Sequence, residues 1–325
     1  MISDYQWPEV RTLSPYFETV DWAECEVLYK EIEGILLNRF GVNAVLMPSG
    51  RASLSAILEF YGISRKHLVY APRWSSQCVW DVIGRVSNPT VEMSTEVDLV
   101  IAVHKWGYQV QCDTDALIVE DSVDSIIQDR SSLFPLKGEF EVFSLPKLIG
   151  SFCGSVILTR NNVFRKYMRE VRLENVELIK HQSKLKHKKF KGGLASIDSP
   201  EALEFKNRGL DLIALQHILD CLPLYDENLN TIVNRIYQLN EHFGYQILNP
   251  RIGRLPCLYP AKSGQFRVND PALFMNRYFN YTYSLNNTSY SPSWLLPLHF
   301  GVSDECFEQM LLSLDLDIKA SKFSK

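Results

Sequence analysis

Residues 44–61 read Ala44-Val-Leu-Met-Pro-Ser-Gly-Arg-Ala-Ser-Leu-Ser-Ala-Ile-Leu-Glu-Phe-Tyr61. The apolar run Ala44–Met47 has the length of a buried strand and stops at Pro48. Beyond Ser49-Gly50 the period changes, and Leu54, Ile57, Leu58 and Tyr61 recur at helical spacing over Arg51–Tyr61. A buried strand that turns at once into an amphipathic helix is the unit from which α/β folds are built. The alternation continues outward. Apolar runs follow at Leu68–Ala71, Leu99–Val103, Ala116–Val119, Glu141–Ser144 and Ser155–Thr159, and Cys78, Val79, Val82 and Ile83 repeat the helical pattern after the first of these. The expected architecture is an α/β domain with a mainly parallel sheet flanked by helices.

Residues 162–190 form a long charged segment, read as helical with a basic end. Helices are expected at about 200–221 and 227–243. From Gly244 the composition shifts toward Pro, Tyr and Asn, with short strand-like pieces such as Tyr245–Leu248. This shift divides the chain into a large domain, 1–243, and a small C-terminal α+β domain, 244–325. The last helix is expected to start at Ser303 as N-cap, with Phe307, Met310, Leu311 and Leu314 on one face. No internal repeat or low-complexity tract is found.

Composition narrows the function classes. With 325 residues the chain can bury a sizeable core without staples. Lys+Arg 34 against Asp+Glu 38 gives a net charge of -4, no global reason to expect nucleic acid or an anionic membrane as partner. The N-terminus carries acids and no apolar run, so it is not read as a signal peptide, and no stretch has the length of a membrane span. Seven scattered cysteines without CxxC spacing suit reduced thiols better than a zinc site or a disulfide framework. A cytoplasmic protein without a metal is expected.

Three segments carry candidate chemistry. Ser49-Gly50 opens a helix, where unpaired backbone N–H groups and the positive dipole end favour a phosphate; a simple capped turn is the plainer reading. In Ala116-Leu-Ile-Val-Glu-Asp-Ser122 a buried strand ends in two acids, and ligands in open α/β sheets bind at carboxyl strand ends, so Asp121 either faces a site or caps a turn. In Phe143-Ser-Leu-Pro-Lys-Leu-Ile-Gly150, Lys147 follows a strand among apolar neighbours. Desolvation there would lower its pKa and make it a nucleophile suited to a Schiff base; a surface lysine is the commoner case.

The order of these pieces, phosphate-binding helix start, strand-end Asp and strand-end Lys, is that of a fold-type-I pyridoxal 5'-phosphate (PLP) enzyme. The chain resembles the DegT/DnrJ/EryC1/StrS family of sugar aminotransferases. Ser49-Gly-Arg-Ala-Ser-Leu54 stands where that family has Ser-Gly-Thr-x-Ala-Leu, and Ala71-Pro-Arg-Trp-Ser-Ser76 is similar to its Pro-x-x-Thr-Phe segment. Ile101-Ala-Val-His-Lys-Trp-Gly107 resembles Pro-Val-His-x-Tyr-Gly, and Glu120-Asp121-Ser122 resembles Glu-Asp-Ala. Leu212–Leu219 with Gln216, and Leu296-Pro-Leu-His-Phe-Gly301 with Ser303-Asp304-Glu305, match two later blocks in the right order.

The resemblance implies PLP as cofactor, Lys147 as its covalent anchor and acid–base, and Asp121 on the ring nitrogen. Ser49, Gly50, Arg51 and Ser144 would bind the phosphate, with Ser76, Trp74 and Asp124 beside the ring. It further implies a nucleotide-linked keto sugar and an amino donor such as glutamate as substrates, and a homodimer, with neither nucleic acid nor membrane. Departures are visible. Arg51 replaces a Thr, and Ser76 replaces the stacking aromatic, which leaves Trp74 as substitute or as a buried core residue. Asp124 replaces a Gln or His, and Ser144 lies three residues before the Lys instead of five. Asn207-Arg208 is out of register with a partner-subunit Asn–x–Arg. These keep two alternatives open: a different outcome such as dehydration, and a binding or scaffold protein. The lysine-rich Lys180–Lys191 could attract a diphosphate or be a solvated helix end. His104 and His299 are read as structural.

Overall fold

The computed structural model describes residues 22–176, 179, 205–243, 253–286 and 289–316. Its centre is a seven-stranded sheet of β1 (Asn43–Met47), β2 (Leu68–Tyr70), β3 (Asn88–Thr90), β4 (Leu99–Val103), β5 (Leu117–Asp121), β7 (Phe140–Ser144) and β8 (Ser155–Thr159), in the order β1-β8-β7-β5-β4-β2-β3. All but β8 run the same way; β8 is antiparallel to both neighbours. The mainly parallel sheet is as expected. β5 extends past the apolar run and ends, as read, in the two acids Glu120 and Asp121, which pair with β4 and β7. β3, with an exposed Pro89, and β6 (Ser125–Ile127) were not expected; both are too short to show a period.

The sheet is covered on both faces. Strand alternation sends Val45 and Met47 to one side and Ala44 and Leu46 to the other. The first side packs on α2 (Gly50–Phe60), α3 (Gln77–Val86) and α5 (Asn162–Glu174), through Leu54, Ile57, Val82 and Phe164. The second packs on α1 (Trp22–Phe40), α6 (Leu212–Cys221) and α7 (Leu224–Phe243). Helix starts are set by side chains that accept an amide hydrogen: Ser49 for α2, Asn161 for α5 and Asp211 for α6. Asp211 is why α6 begins well after residue 200. The basic half of the expected 162–190 helix, including Lys180–Lys191, and the Tyr245–Leu248 strand lie outside the described residues.

Past Gly253 the chain forms β9 (Arg254–Pro256), β10 (Leu258–Lys262), β11 (Phe266–Val268), β12 (Met275–Asn280), β13 (Tyr290–Pro297), α8 (Asp304–Leu312) and β14 (Leu314–Leu316). β10, β13 and β12 make an antiparallel sheet, β11 pairs with β14, and β9 pairs with β6 of the first half. Ser303 caps α8 as expected, accepting from the Cys306 amide. No disulfide links the cysteines. No helix among the described residues is long and apolar enough to cross a membrane.

The β6–β9 seam brings β9 against the 3-10 turn Lys105–Gly107 that follows β4. Gly107 has φ +95, and a β-carbon there would lie 2.5 Å from Pro256 Cα and 2.7 Å from Leu255 O. Backbone cannot yield as a side-chain tip does. Gly107→Ala is therefore expected to cost on the order of 3 kcal/mol, read as a lower urea midpoint at unchanged m-value.

Candidate active site

Because β1, β2, β4, β5 and β7 are parallel, the loops after them open at one end of the sheet. Asp121 is the last residue of β5, buried at 3% exposure, and one carboxylate oxygen accepts the Val123 amide at 3.2 Å. The turn that follows, closed by the Ser125 amide on the Ser122 carbonyl, carries Asp124 over the strand end. β7 runs into the short helix α4 (Leu145–Ile149), which ends at Gly150 in the left-handed conformation and bears Lys147. Lys147 Nζ donates to Asp124 Oδ1 at 2.5 Å, and Asp124 Oδ2 accepts the Trp106 amide at 3.3 Å.

Burial pushes Asp121 up to about 6, and the Asp124 charge adds to this, while Lys147 and the Val123 amide oppose it. Lys147 departs from the sequence expectation. Burial alone would lower it, but the charge and hydrogen bond of Asp124, with the charge of Asp121, outweigh that and hold it above the usual lysine range. The apolar neighbours in sequence do not decide the lysine's state; an acid from another strand end does.

The other expected residues fall into two groups. Ser49 and Gly50 lie against the same turn, for a β-carbon on Gly50 would sit 3.6 Å from Val123 Cγ1. Ser49 Oγ accepts the Ala52 amide, and Arg51 is half-buried. Ser76 stands at the start of α3 with its hydroxyl 2.9 Å from Cys78 Sγ, and Cys78 acts electrostatically on Lys147. Ser144 is the residue before α4, and its side chain makes no capping bond. Trp74 is apart from these. It is 44% exposed and stacks on Tyr278 with ring centroids 4.8 Å apart, so the buried-core reading is corrected. Asn207 and Arg208 are engaged within their own chain: Arg208 bonds Ser55 and Glu59, and Asn207 accepts the Gly209 amide.

Both histidines are buried. The Val110 amide donates to His104 Nδ1, which needs a lone pair there, so the ring carries its proton on Nε2 and donates it to Glu120 at 2.9 Å. His299 Nδ1 accepts the Gly301 amide. Lys105 was not singled out in sequence. Its amine bridges the Trp74 and Tyr278 carbonyls at 3.1 and 3.0 Å, and burial lowers it to about 8, with Arg277 adding and Asp124 opposing. Its place after the strand-end His104 was the only available signal.

A family model described as "Putative PLP-dependent aminotransferase" matches residues 33–315. The chain belongs to that family. Its cofactor is PLP and its reaction is amino-group transfer. The fold is similar to that of a DegT DnrJ EryC1 StrS aminotransferase from Brucella abortus, with a TM-score of 0.58 at 16% identity over 88% of this chain and 89% of that one. It is similar to the sugar aminotransferase CalS13 from Micromonospora echinospora, with a TM-score of 0.58 at 13% identity over 95% and 98%. DesI, solved in the presence of its TDP-sugar product, gives 0.56 at 13% identity over 95% and 94%. At such identities the likeness is one of fold. No curated protein sequence matches.

The residues present fit PLP in kind. A primary amine on Lys147 suits the aldehyde, and the buried Asp121 suits a pyridinium nitrogen. The start of α2, packed against Val123, offers amides to a phosphate.

The raised Asp121 has a consequence for stability. A carboxyl whose folded value exceeds its unfolded one binds more protons when folded, so its contribution is full below about pH 4 and is lost as pH rises through about 6. Glu120, pushed up to about 7 chiefly by burial, acts in the same direction. The cofactor-free chain should lose stability from pH 4 to 7, and Asp121→Asn should remove up to roughly 3 kcal/mol of that loss. Urea unfolding of both chains across this range is the check; equal slopes from pH 4 to 6 would refute the assignment.

Proposed function

We propose that the chain transfers an amino group from a donor such as glutamate to a nucleotide-linked keto sugar. The observation that carries the site is the pairing of a buried strand-end acid with a strand-end lysine. The substrate class is supported by the relatives, one titled a sugar aminotransferase and one solved with its TDP-sugar product. The proposal includes a homodimer in the cytoplasm, and a division into a PLP-binding domain 1–243 and a small domain 244–325.

Bound PLP supplies an electron sink for the carbanion formed at the donor carbon. Asp121 holds a proton on the ring nitrogen and, being buried, does so without competition from water. The amides at Gly50 and Arg51 hold the phosphate at the start of α2, with Ser144 and the Arg51 side chain as further contacts. Ser49 fixes that helix start through its cap, and Ser76 bounds the ring side of the pocket. Lys147 would hold the cofactor covalently, and once freed by the incoming amine its Nζ would act as the acid–base that removes a proton from the donor's α-carbon in one half-reaction and returns one to the sugar carbon in the other.

Borohydride reduction of PLP-loaded protein followed by peptide mapping should place pyridoxyl on Lys147. Labelling of another lysine, or of none, would remove the assignment. Asp121→Asn should keep the fold and reduce amino transfer by on the order of 100-fold or more, measured with a panel of amino donors and nucleotide keto sugars. Near wild-type turnover in that variant would exclude the ring-nitrogen role. If PLP is attached at Lys147 and no donor in the panel converts it, the binding-protein alternative replaces this reading.

A further inference from the structure

Lys147 is held by a carboxylate whose two oxygens are both occupied. Asp124 is 7% exposed, and both of its oxygens are engaged: Oδ1 by the Lys147 amine at 2.5 Å, Oδ2 by the Trp106 amide at 3.3 Å. The Trp106 amide is itself fixed. That residue has φ 58 inside the Lys105–Gly107 turn, is 3% exposed, and its ring stacks on Phe279 with centroids 5.2 Å apart. A carboxylate aimed by a rigid amide at an amine on the neighbouring strand end is a device for placing that amine.

We propose that Asp124 is a positioning residue that seats Lys147 and keeps a proton on it, so that the lysine waits as a fixed ammonium and not as a free nucleophile. An ammonium has no lone pair, so any carbonyl ligand must first break this pair and displace that proton. Among the described residues, several groups face the pair. Asp121 adds negative charge from β5, Lys105 lies within the field of Asp124 from the turn after β4, and the Cys78 and Cys257 thiols border Lys147. Two acids and two amines thus share one pocket floor, and only Asp124 contacts the Lys147 amine among them. The consequence for cofactor capture rests on the proposed role of Lys147; the ion pair itself does not.

The test uses the cofactor-free chain and a trace of acetic anhydride from pH 7 to 12. Acetylation of Lys147 is quantified by peptide mass against Lys166, whose side chain is 80% exposed. In the wild type the Lys147 profile should have its midpoint above that of Lys166. Asp124→Asn should raise Lys147 labelling near pH 8 by roughly tenfold, and Asp124→Glu should restore the suppression. A Lys147 midpoint at or below that of Lys166 overturns the proposal, and this needs no variant to fold. Unchanged labelling in a folded Asp124→Asn chain overturns it as well. A second arm adds PLP with borohydride to the same chains. Labelling shifted as expected, with no pyridoxyl on Lys147 in any chain, would remove the aminotransferase site and leave the hold of Asp124 standing.

Discussion

Four carboxylates within 22 residues of chain are buried at or near the carboxyl end of the sheet, and the site depends on how each is satisfied. Glu120, Asp121, Asp124 and Glu141 are all under 10% exposed. A buried charge without partners is costly, so the surroundings must answer each one. Glu120 accepts from His104 and from the Leu136 and Gly138 amides. Glu141 accepts from Arg254 at 2.5 Å, from Ser122 and from the Phe134 amide. Asp124 has Lys147 and the Trp106 amide. Asp121 has the Val123 amide and the field of Lys147, and no cation of its own in contact among the described residues. It is the acid left over, and a cationic ring nitrogen is the partner that would complete it.

The same accounting explains how the C-terminal part is held to the sheet. Arg254 is 2% exposed, and besides Glu141 it reaches Ser122 and the Ser132 carbonyl. It stands at the start of β9, whose pairing with β6 closes the floor beneath Asp124. Lys105 makes a second tie, from the turn after β4 to Tyr278 in β12 and to Trp74 after β2. Removing one partner from such a buried pair strands the other, which is why these ties act on the site and not merely beside it.

Much of the fold was legible because it is written locally. The strand at Ala44–Met47 and the helix after it are read from period alone, and so are the runs that become β2, β4 and β8. The order of Ser49-Gly50, Asp121 and Lys147 was enough to expect a helix start, an acid and an amine at one end of the sheet. What the sequence did not reveal lies in pairs distant along the chain. Asp124 and Lys147 are 23 residues apart, Glu141 and Arg254 are 113 apart, and Lys105 and Tyr278 are 173 apart. The apolar neighbours of Lys147 pointed to a lowered pKa because desolvation is a local property, whereas the countercharge is not. Trp74 was read as core because large aromatics are usually buried, and its stacking partner Tyr278 lies on a strand some 200 residues away.

The charges at the site also constrain how a cofactor enters. Two carboxyls, Asp121 and Asp124, share the pocket floor with two amines, Lys147 and Lys105, so their formal charges balance. A cofactor held at Lys147 would take up that cation's place, and a protonated ring nitrogen beside Asp121 would supply one. A phosphate would be repelled by two carboxylates on this floor, and the α2 start, where Gly50 offers backbone amides without a side chain, would suit it better. An acid at position 124 is therefore compatible with an anionic cofactor, provided that the lysine proton and the ring proton both stay within the pocket.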